Sequence, residues 1–358
     1  MQMPLGQRLS ELPGPLLLTG HTGFKGTWMT FLLEQLNVPV VGYSLPAYND
    51  SLYERAKRIG AIPEVLADIC DYGALERFID LHKPSTIIHM AAQSLVLKSY
   101  KYPRETFNVN VMGTVNILDI AFKKDYIKAI IIVTTDKVYR NDNFGRAFVE
   151  SDPLEGKDPY SASKVGTEAV VAAWQHVAKV SGGPRIVSVR AGNVIGGGDF
   201  AENRIVPDII RGVMAANPVN IRNPNSERPW QHVLDPLAGY IVCLESIIDV
   251  QKSDSFNFGP IEPSIRVQDV VTQAEKLYGD RLKTNYENLK GPYILESQAL
   301  NLDSTLATRY LGWTPVWNQS TAIEKTFLWW KKLIDLNESP IKLCNLDIEL
   351  FLMNMNGS

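Results

Sequence analysis

The chain has 358 residues, 45% hydrophobic and 21% charged, with a formal net charge of −3. This is an ordinary globular composition, long enough for a large core and two lobes, and its slight acidity argues against nonspecific nucleic-acid binding while leaving room for a local basic pocket. Cys70, Cys243 and Cys344 stand far apart, so buried apolar thiols are expected rather than a disulfide framework or a metal site; no apolar run reaches the roughly 18 residues of a spanning helix and no basic-then-apolar segment opens the chain, which makes the cytoplasm the expected location.

In chain order the pattern alternates. Leu16-Leu17-Leu18 is a short apolar strand, and Thr27 to Leu36 reads as a helix after a glycine-rich turn. Val38 to Tyr43 predicts a second strand and Pro63 to Ala67 a third. Asp71 to Leu81 predicts a helix, Thr86 to Ala91 a fourth strand, and Pro103 to Phe122 one long helix. A fifth strand ends at Val133, and Tyr160 to Ala178 is another long helix. Arg185 to Arg190 and Ser255 to Gly259 supply the sixth and seventh strands. Strand alternating with helix implies a mostly parallel sheet covered on both faces. Asn217 to Pro229, rich in Asn, Pro and Arg, reads as a loop on the substrate side. The last ~20 residues read as a helix-like end with a polar tip, frayed or packed on a partner.

Two clusters carry chemistry. Thr134-Thr135-Asp136-Lys137 ends the apolar run Ile130-Ile131-Ile132-Val133, placing an acid and an amine at a strand's carboxyl end, where open α/β sheets hold their ligands. Tyr160 and Lys164 lie four apart on a helix and share a face. An ammonium there is expected to lower the phenol's pKa from about 10 and to make a base for a hydroxyl proton. Between the first strand and helix stands Thr19-Gly20-His21-Thr22-Gly23-Phe24-Lys25-Gly26. Its glycines allow a sharp turn and close approach to a pyrophosphate, and the helix amino terminus supplies N–H donors.

The Gly-x-x-Gly-x-x-Gly spacing with Tyr-x-x-x-Lys resembles the extended short-chain dehydrogenase/reductase family. His89-Met90-Ala91-Ala92-Gln93, Thr135-Asp136-Lys137, Asp158-Pro159-Tyr160-Ser161, Arg190 through Asp199, Ile221-Arg222-Asn223-Pro224, Arg228 through Leu234 and Leu311-Gly312-Trp313-Thr314-Pro315 narrow the likeness to the group of CDP-glucose 4,6-dehydratases. The resemblance implies a Rossmann-like doubly wound parallel sheet with a smaller C-terminal substrate-binding domain. Residues 1–195 would bind NAD, with a returning segment near 229–260, and 196–358 would mainly bind substrate, the two interleaved. It implies catalysis by Thr135, Asp136, Lys137, Tyr160 and Lys164. It implies NAD contacts from Gly20, Thr22, Gly23, Phe24, Lys25 and Gly26, from Ser44, Asp68 and Ile69, from Ala91, Ala92 and Gln93, and from Thr134, Tyr160, Lys164 and Ala191. A nucleotide-sugar substrate would meet Gln93, Asn193, Arg204, Arg222, Arg228 and Glu296. The helices after Tyr102 and Tyr160 would pair with those of a second copy, giving a homodimer. The implied reaction converts CDP-glucose to CDP-4-keto-6-deoxyglucose: Tyr160 serves the oxidation at carbon 4, and Lys137 and Asp136 remove water across carbons 5 and 6.

The chain departs from the group's pattern at Leu97, where an Arg is usual, and at Leu295-Glu296-Ser297, where His-Glu-Ala is usual. Both departures bear on which nucleotide or sugar is bound. A dehydratase of a GDP-, dTDP- or UDP-sugar therefore stands as an alternative, and a sugar-nucleotide 4-epimerase as another, although an epimerase has no need of Asp136-Lys137. A silent NAD-binding regulator would have no need of four intact catalytic side chains. Ser44 stands near where many dinucleotide folds carry an acid, so NAD rather than NADP rests on the family alone. Asp68 caps the next helix or faces the adenine, and Gln93 is a loop amide or a substrate contact. Trp313 reads as core, and His89 and His232 as structural.

Overall fold

The computed structural model describes residues 3–142, 145–248, 250, 254–286 and 300–357. Seven strands, β1 (Leu16–Thr19), β2 (Val40–Ser44), β3 (Glu64–Leu66), β4 (Thr86–His89), β5 (Ala129–Val133), β6 (Arg185–Ala191) and β7 (Ser255–Phe258), form one sheet in the order β7-β6-β5-β4-β1-β2-β3. Every pairing in it is parallel. Chain order reverses between β1 and β4, and the carboxyl ends of β1, β4 and β5 line up there: Thr19 lies beside His89, and His89 beside Ile132.

The strands read as continuous apolar runs because both faces are buried. Alternate side chains go to opposite layers. Leu16, Leu18, Ile88, Ile131 and Val187 join one core, and Leu17, Ile87, Ile130, Ile132 and Ile186 the other. On the first side lie α1 (Phe24–Gln35) and α5 (Leu234–Ile247); on the second lie α2 (Tyr72–His82), α3 (Gly113–Ala121) and α4 (Pro159–Ser181). The helix Ile205–Ala215 and the helix Val267–Tyr278 pack onto the first of these cores, beside two-residue pairings such as Glu227–Arg228 with Ile265–Arg266.

Three expectations are corrected. The helix foreseen over Pro103 to Phe122 is interrupted: Pro103–Phe107 and α3 flank a π-helical turn at Asn108–Met112. The wider turn carries Asn110 inward, where its carboxamide takes the Gln93 N–H at 2.8 Å and donates to Gln93 O at 3.0 Å and Ser163 Oγ at 2.8 Å. Such bulges often mark functional sites. The first helix begins at Phe24, three residues earlier than foreseen, because Gly23 is extended at its N-cap position. The end of the chain packs on its own core: the helix Pro340–Asn356 buries Leu343, Cys344, Ile348 and Phe351, and Trp317 meets Phe351 edge to face at 5.3 Å.

One buried ion pair ties helix to sheet. Arg190 of β6 makes two bonds to Glu168 of α4, at 2.8 and 2.9 Å, and a third to the Tyr139 hydroxyl at 2.8 Å. Thr134 and Ser188 donate to the same carboxylate. Removing one partner of such a pair strands a buried charge. Arg190→Ala is expected to cost about 3–5 kcal/mol, read as a lower denaturant midpoint at unchanged slope. Lys179→Ala, which removes an exposed partner of Asp254, should cost under about 1 kcal/mol.

Candidate active site

The turn after β1 is built for close approach. Gly20 has φ +74°, and a Cβ on it would lie 2.7 Å from the Ala91 nitrogen; one on Gly26 would lie 2.1 Å from the Gly20 carbonyl oxygen. Gly23, at the N-cap of α1, would bring a Cβ no nearer than 3.4 Å to the protein. The backbone thus folds on itself at Gly20 and Gly26 and leaves the face at Gly23 open toward the helix amino terminus, a fit for a pyrophosphate. Thr19 anchors the base of the turn, its Oγ taking the Met90 and Ala91 N–H groups at 3.1 Å each and lying 2.7 Å from His89 Nδ1. His21 is buried on Gly42, with Nε2 2.6 Å from Glu64.

Four consecutive groups form the reactive edge. The Thr135 hydroxyl donates to Asp136 Oδ1 at 2.9 Å and stands close enough to the Tyr160 phenol to act on its titration. Lys137 Nζ donates to the same Oδ1 at 3.2 Å, and its side chain is 32% exposed against 1% for Asp136. Asp136 Oδ2 is buried without a hydrogen-bond partner among the described residues and faces Gly192. Tyr160 and Lys164 arrive on the first turns of α4, whose start is fixed by a capping box: Asp158 Oδ1 accepts from Tyr160 N and Ser161 N, and Ser161 Oγ accepts from Asp158 N.

The electrostatics correct the expectation of a lowered phenol pKa. Burial pushes Tyr160 up to about 12; the Thr135 hydrogen bond and Arg204 pull down, while Asp136 and Asp158 push further up. Lys164 does not reverse this. Its Nζ donates to Val133 O at 3.0 Å, and burial drives it down to about 8 against the pull of Glu168. Lys25 is driven down to about 7 by burial, with Lys164 and Arg204 adding repulsion, and its Nζ lies 3.4 Å from the Tyr240 hydroxyl. Lys25, Lys164, Arg204 and Tyr160 therefore share one electrostatic neighbourhood at the sheet's carboxyl edge.

Other foreseen residues take plainer roles. The Ser44 hydroxyl is engaged by Thr22 Oγ at 2.8 Å. Asp71, not Asp68, caps α2; Asp68 is exposed and accepts from Cys70 N at 2.9 Å. The Gln93 amide is used within its own loop, by Leu95 N at 2.7 Å, Leu95 O at 3.2 Å and Thr106 Oγ at 2.9 Å. That geometry fits the loop-amide reading rather than a sugar contact. The Thr134 hydroxyl donates to Glu168 and so joins the ion-pair network. Ile69 packs beside Gly113, Phe24 beside Gly196, and Ala91 and Ala92 follow β4 half-buried. Ala191 ends β6.

On the substrate side, Arg204 stands at the N-cap of the helix Ile205–Ala215 and donates to Asp199 at 2.9 Å. Asn193 O accepts from Gln231 N, and Arg228 is buried beside Pro229 and donates to Glu227 O. Arg222 lines a cavity of about 700 Å³ with Asn203, Asp208, Arg211 and Asn220. Glu296, Leu295 and Ser297 lie outside the described residues; Leu97 is exposed. Sequence reading missed Asn110, Asp199 and Tyr240. Asn110 carries no signal beyond its place in an apolar helix; Asp199 was in plain view at the end of a Gly-Gly-Gly run.

The profile of the NAD dependent epimerase/dehydratase family matches residues 16–259. The chain is 38% identical over 328 residues to the CDP-glucose 4,6-dehydratase of Salmonella typhimurium, covering 89% of this chain and 91% of that one. It is 27% identical over 338 residues to a probable dTDP-glucose 4,6-dehydratase of Sinorhizobium fredii, covering 88% and 92%. Among solved structures, the dTDP-glucose 4,6-dehydratase of Bacillus anthracis in complex with NAD superposes with a TM-score of 0.75 at 20% identity, over 90% of this chain and 98% of that chain. The UDP-glucose 4-epimerase of Thermotoga maritima with UDP-glucose gives 0.76 at 20% identity, over 89% and 99%. At that identity the two structures speak to the fold.

The glycine geometry separates binding from folding. Gly23→Ala should stay within about 1 kcal/mol of the parent's stability, since a methyl fits the protein there, yet lose most of its bound NAD. Gly26→Ala should lose NAD and stability together. Cofactor content after gel filtration, beside a thermal melt, checks both; a Gly23→Ala protein with full NAD content would refute the assignment of that face.

Proposed function

Because the chain belongs to the NAD dependent epimerase/dehydratase family, we propose that it is an NAD-dependent lyase acting on a sugar nucleotide: a 4,6-dehydratase, with CDP-glucose as the favoured substrate. The observation that carries this reading is the hydrogen-bonded run Thr135–Asp136–Lys137 beside the buried Tyr160 phenol, which adds an acid and an amine to an oxidation site. The preference for CDP-glucose rests on the 38% identity to a CDP-glucose 4,6-dehydratase and on Lys137, where relatives with Asp-Glu use a carboxylate base.

The residues fit a dinucleotide through the turn at Gly20, Gly23 and Gly26 and the amino terminus of α1. NAD bound there would take up hydride from carbon 4 of the sugar and give it back at carbon 6, so the cycle is redox-neutral. Tyr160 Oη, beside Thr135, accepts the proton of the carbon-4 hydroxyl. Lys164 holds its charge one helical turn away, tethered to Val133 O. With carbon 4 oxidised, the carbon-5 proton is acidic. Lys137, the more exposed partner of the acid–base pair, reaches it. Asp136 delivers a proton to the departing carbon-6 hydroxyl, and its unpartnered Oδ2 is the atom placed to carry that proton. Arg204, Arg222 and Arg228 suit the diphosphate, since a guanidinium matches phosphate oxygens with a planar fork. The cavity at Arg222 takes the nucleotide end.

A homodimer belongs to the same proposal. Phe107, Met112 and Ala169 are exposed on the helical layer that holds the π-turn and α4. Leu118, on the same layer, lies in its own protomer's core. Light scattering should show a dimer at micromolar concentration and a monomer for Met112→Glu; a monomeric parent would remove the claim.

The two acid–base systems should separate by mutation. Tyr160→Phe should abolish oxidation and leave bound NAD oxidised. Lys137→Ala should still form some bound NADH but release no 6-deoxy product. Substrate deuterated at carbon 4 should give product labelled in its methyl group with little crossover between molecules. A stoichiometric need for added NAD would make the protein an ordinary dehydrogenase and overturn the reading.

A further inference from the structure

The cavity at Arg222 runs between the helix Ile205–Ala215 and the short strand Val219–Asn220. Among the described residues three charged side chains line it: Arg211, Arg222 and Asp208. The two cations differ in what they can still do. Arg211 is engaged by the protein itself. Its Nη1 donates to Phe200 O at 2.9 Å, and its Nη2 donates to Ala201 O at 3.2 Å and to Asp208 Oδ1. Its guanidinium also lies 5.1 Å from the centre of the Phe200 ring. Arg222 is exposed, and its described bond is a long one, 3.5 Å from Nη2 to Asn203 O. Arg222 is therefore the cation able to turn to a diphosphate.

Asp208 does not suit a diphosphate at all. Its charge repels one across the same cavity. It stands in the first turn of the helix, where the helix dipole favours its ionised form. An ionised carboxylate offers about four acceptor sites and no donor. Arg211 takes Oδ1 and, being tied to two carbonyls and an aromatic ring, fixes where the carboxylate stands. The side chain is 31% exposed, so it meets both the cavity and its own partner. A fixed acceptor on the wall of a nucleotide cavity belongs with a donor on the nucleotide, and the donors lie on the base rather than the phosphates. Cytosine carries an amino group at carbon 4, which a carboxylate accepts from. Uracil and thymine carry a carbonyl there and would set oxygen against oxygen. Met214 and Pro218, on the same cavity, offer apolar surface to the faces of a ring.

We propose that Asp208 reads the base: its carboxylate, positioned by Arg211, accepts from the exocyclic amino group of cytosine and turns away uracil and thymine. The inference deepens the function proposed above and rests on it only in placing the nucleotide end in this cavity.

The test uses the full-length protein and calorimetric titration with CDP, UDP, dTDP and GDP. The parent should bind CDP at least about tenfold more tightly than UDP or dTDP. Asp208→Asn keeps an oxygen for Arg211 and replaces the second acceptor with a donor. It should weaken CDP about tenfold while leaving UDP unchanged or tighter, so that the preference closes to about twofold or less. On CDP-glucose its KM should rise about tenfold with kcat within about twofold, because the contact is made equally in ground and transition states. CDP dimethylated on the amino nitrogen has no donor there, and the parent should bind it as weakly as UDP. That titration needs no variant and stands even where Asp208→Asn does not fold. Parent protein that binds UDP, dTDP or GDP as tightly as CDP would overturn the inference. So would an Asp208→Asn protein that loses CDP and UDP alike, or dimethylated CDP bound as tightly as CDP. If the parent binds CDP but forms no 4-keto product from CDP-glucose, the dehydratase reading falls, and the titrations still decide the role of Asp208.

Discussion

The Arg190–Glu168 pair is the interaction on which the site's geometry depends. Glu168 lies one helical turn beyond Lys164 on the helix that carries Tyr160, and Arg190 lies on β6, next to the strand that ends in Thr134-Thr135-Asp136-Lys137. Thr134 and Ser188 add bonds to the same carboxylate from both strands. One buried ion pair therefore sets how α4 sits along the sheet, and with it the distance between the base for oxidation and the pair for elimination. A charge buried at this junction tolerates little sliding, because each displaced bond leaves a desolvated group without a partner.

The cations at the sheet edge form a second constraint. Burial drives down the pKa of both Lys25 and Lys164, and repulsion from Lys164 and Arg204 lowers that of Lys25 further. The protein's own groups hold Tyr160 high. The base is thus poised by a balance of several charges rather than by its neighbouring lysine alone. The cations of that neighbourhood come from different elements: α1 brings Lys25, α4 brings Lys164, and Arg204 stands at the N-cap of the helix Ile205–Ala215.

Much was legible before any coordinates. The seven strands follow from short apolar runs because a sheet buried on both faces needs no alternation. The reactive residues follow from spacing, since Tyr160 and Lys164 must share a helix face and Asp136 and Lys137 must stand at a strand end. The misses are of one kind. The π-turn at Asn108–Met112 sits in sequence that reads as uninterrupted helix, and what places Asn110 inward is its bonding to a distant loop and to α4. The partners that Gln93 and Thr134 take within the fold were equally hidden, because Thr106 and Glu168 are far from them in the chain.

The sequence by itself determined the strand–helix alternation, the glycine turn and the residues proposed for both acid–base systems. Each depends on residues a few positions apart, whose geometry the local backbone dictates. Tertiary structure alone decided which hydroxyls and amides were already taken and which way the Tyr160 pKa moves. Those outcomes depend on burial and on charges from elements far apart in the chain. Desolvation and Coulomb terms at a site are sums over neighbours in space, and no spacing along the chain records them.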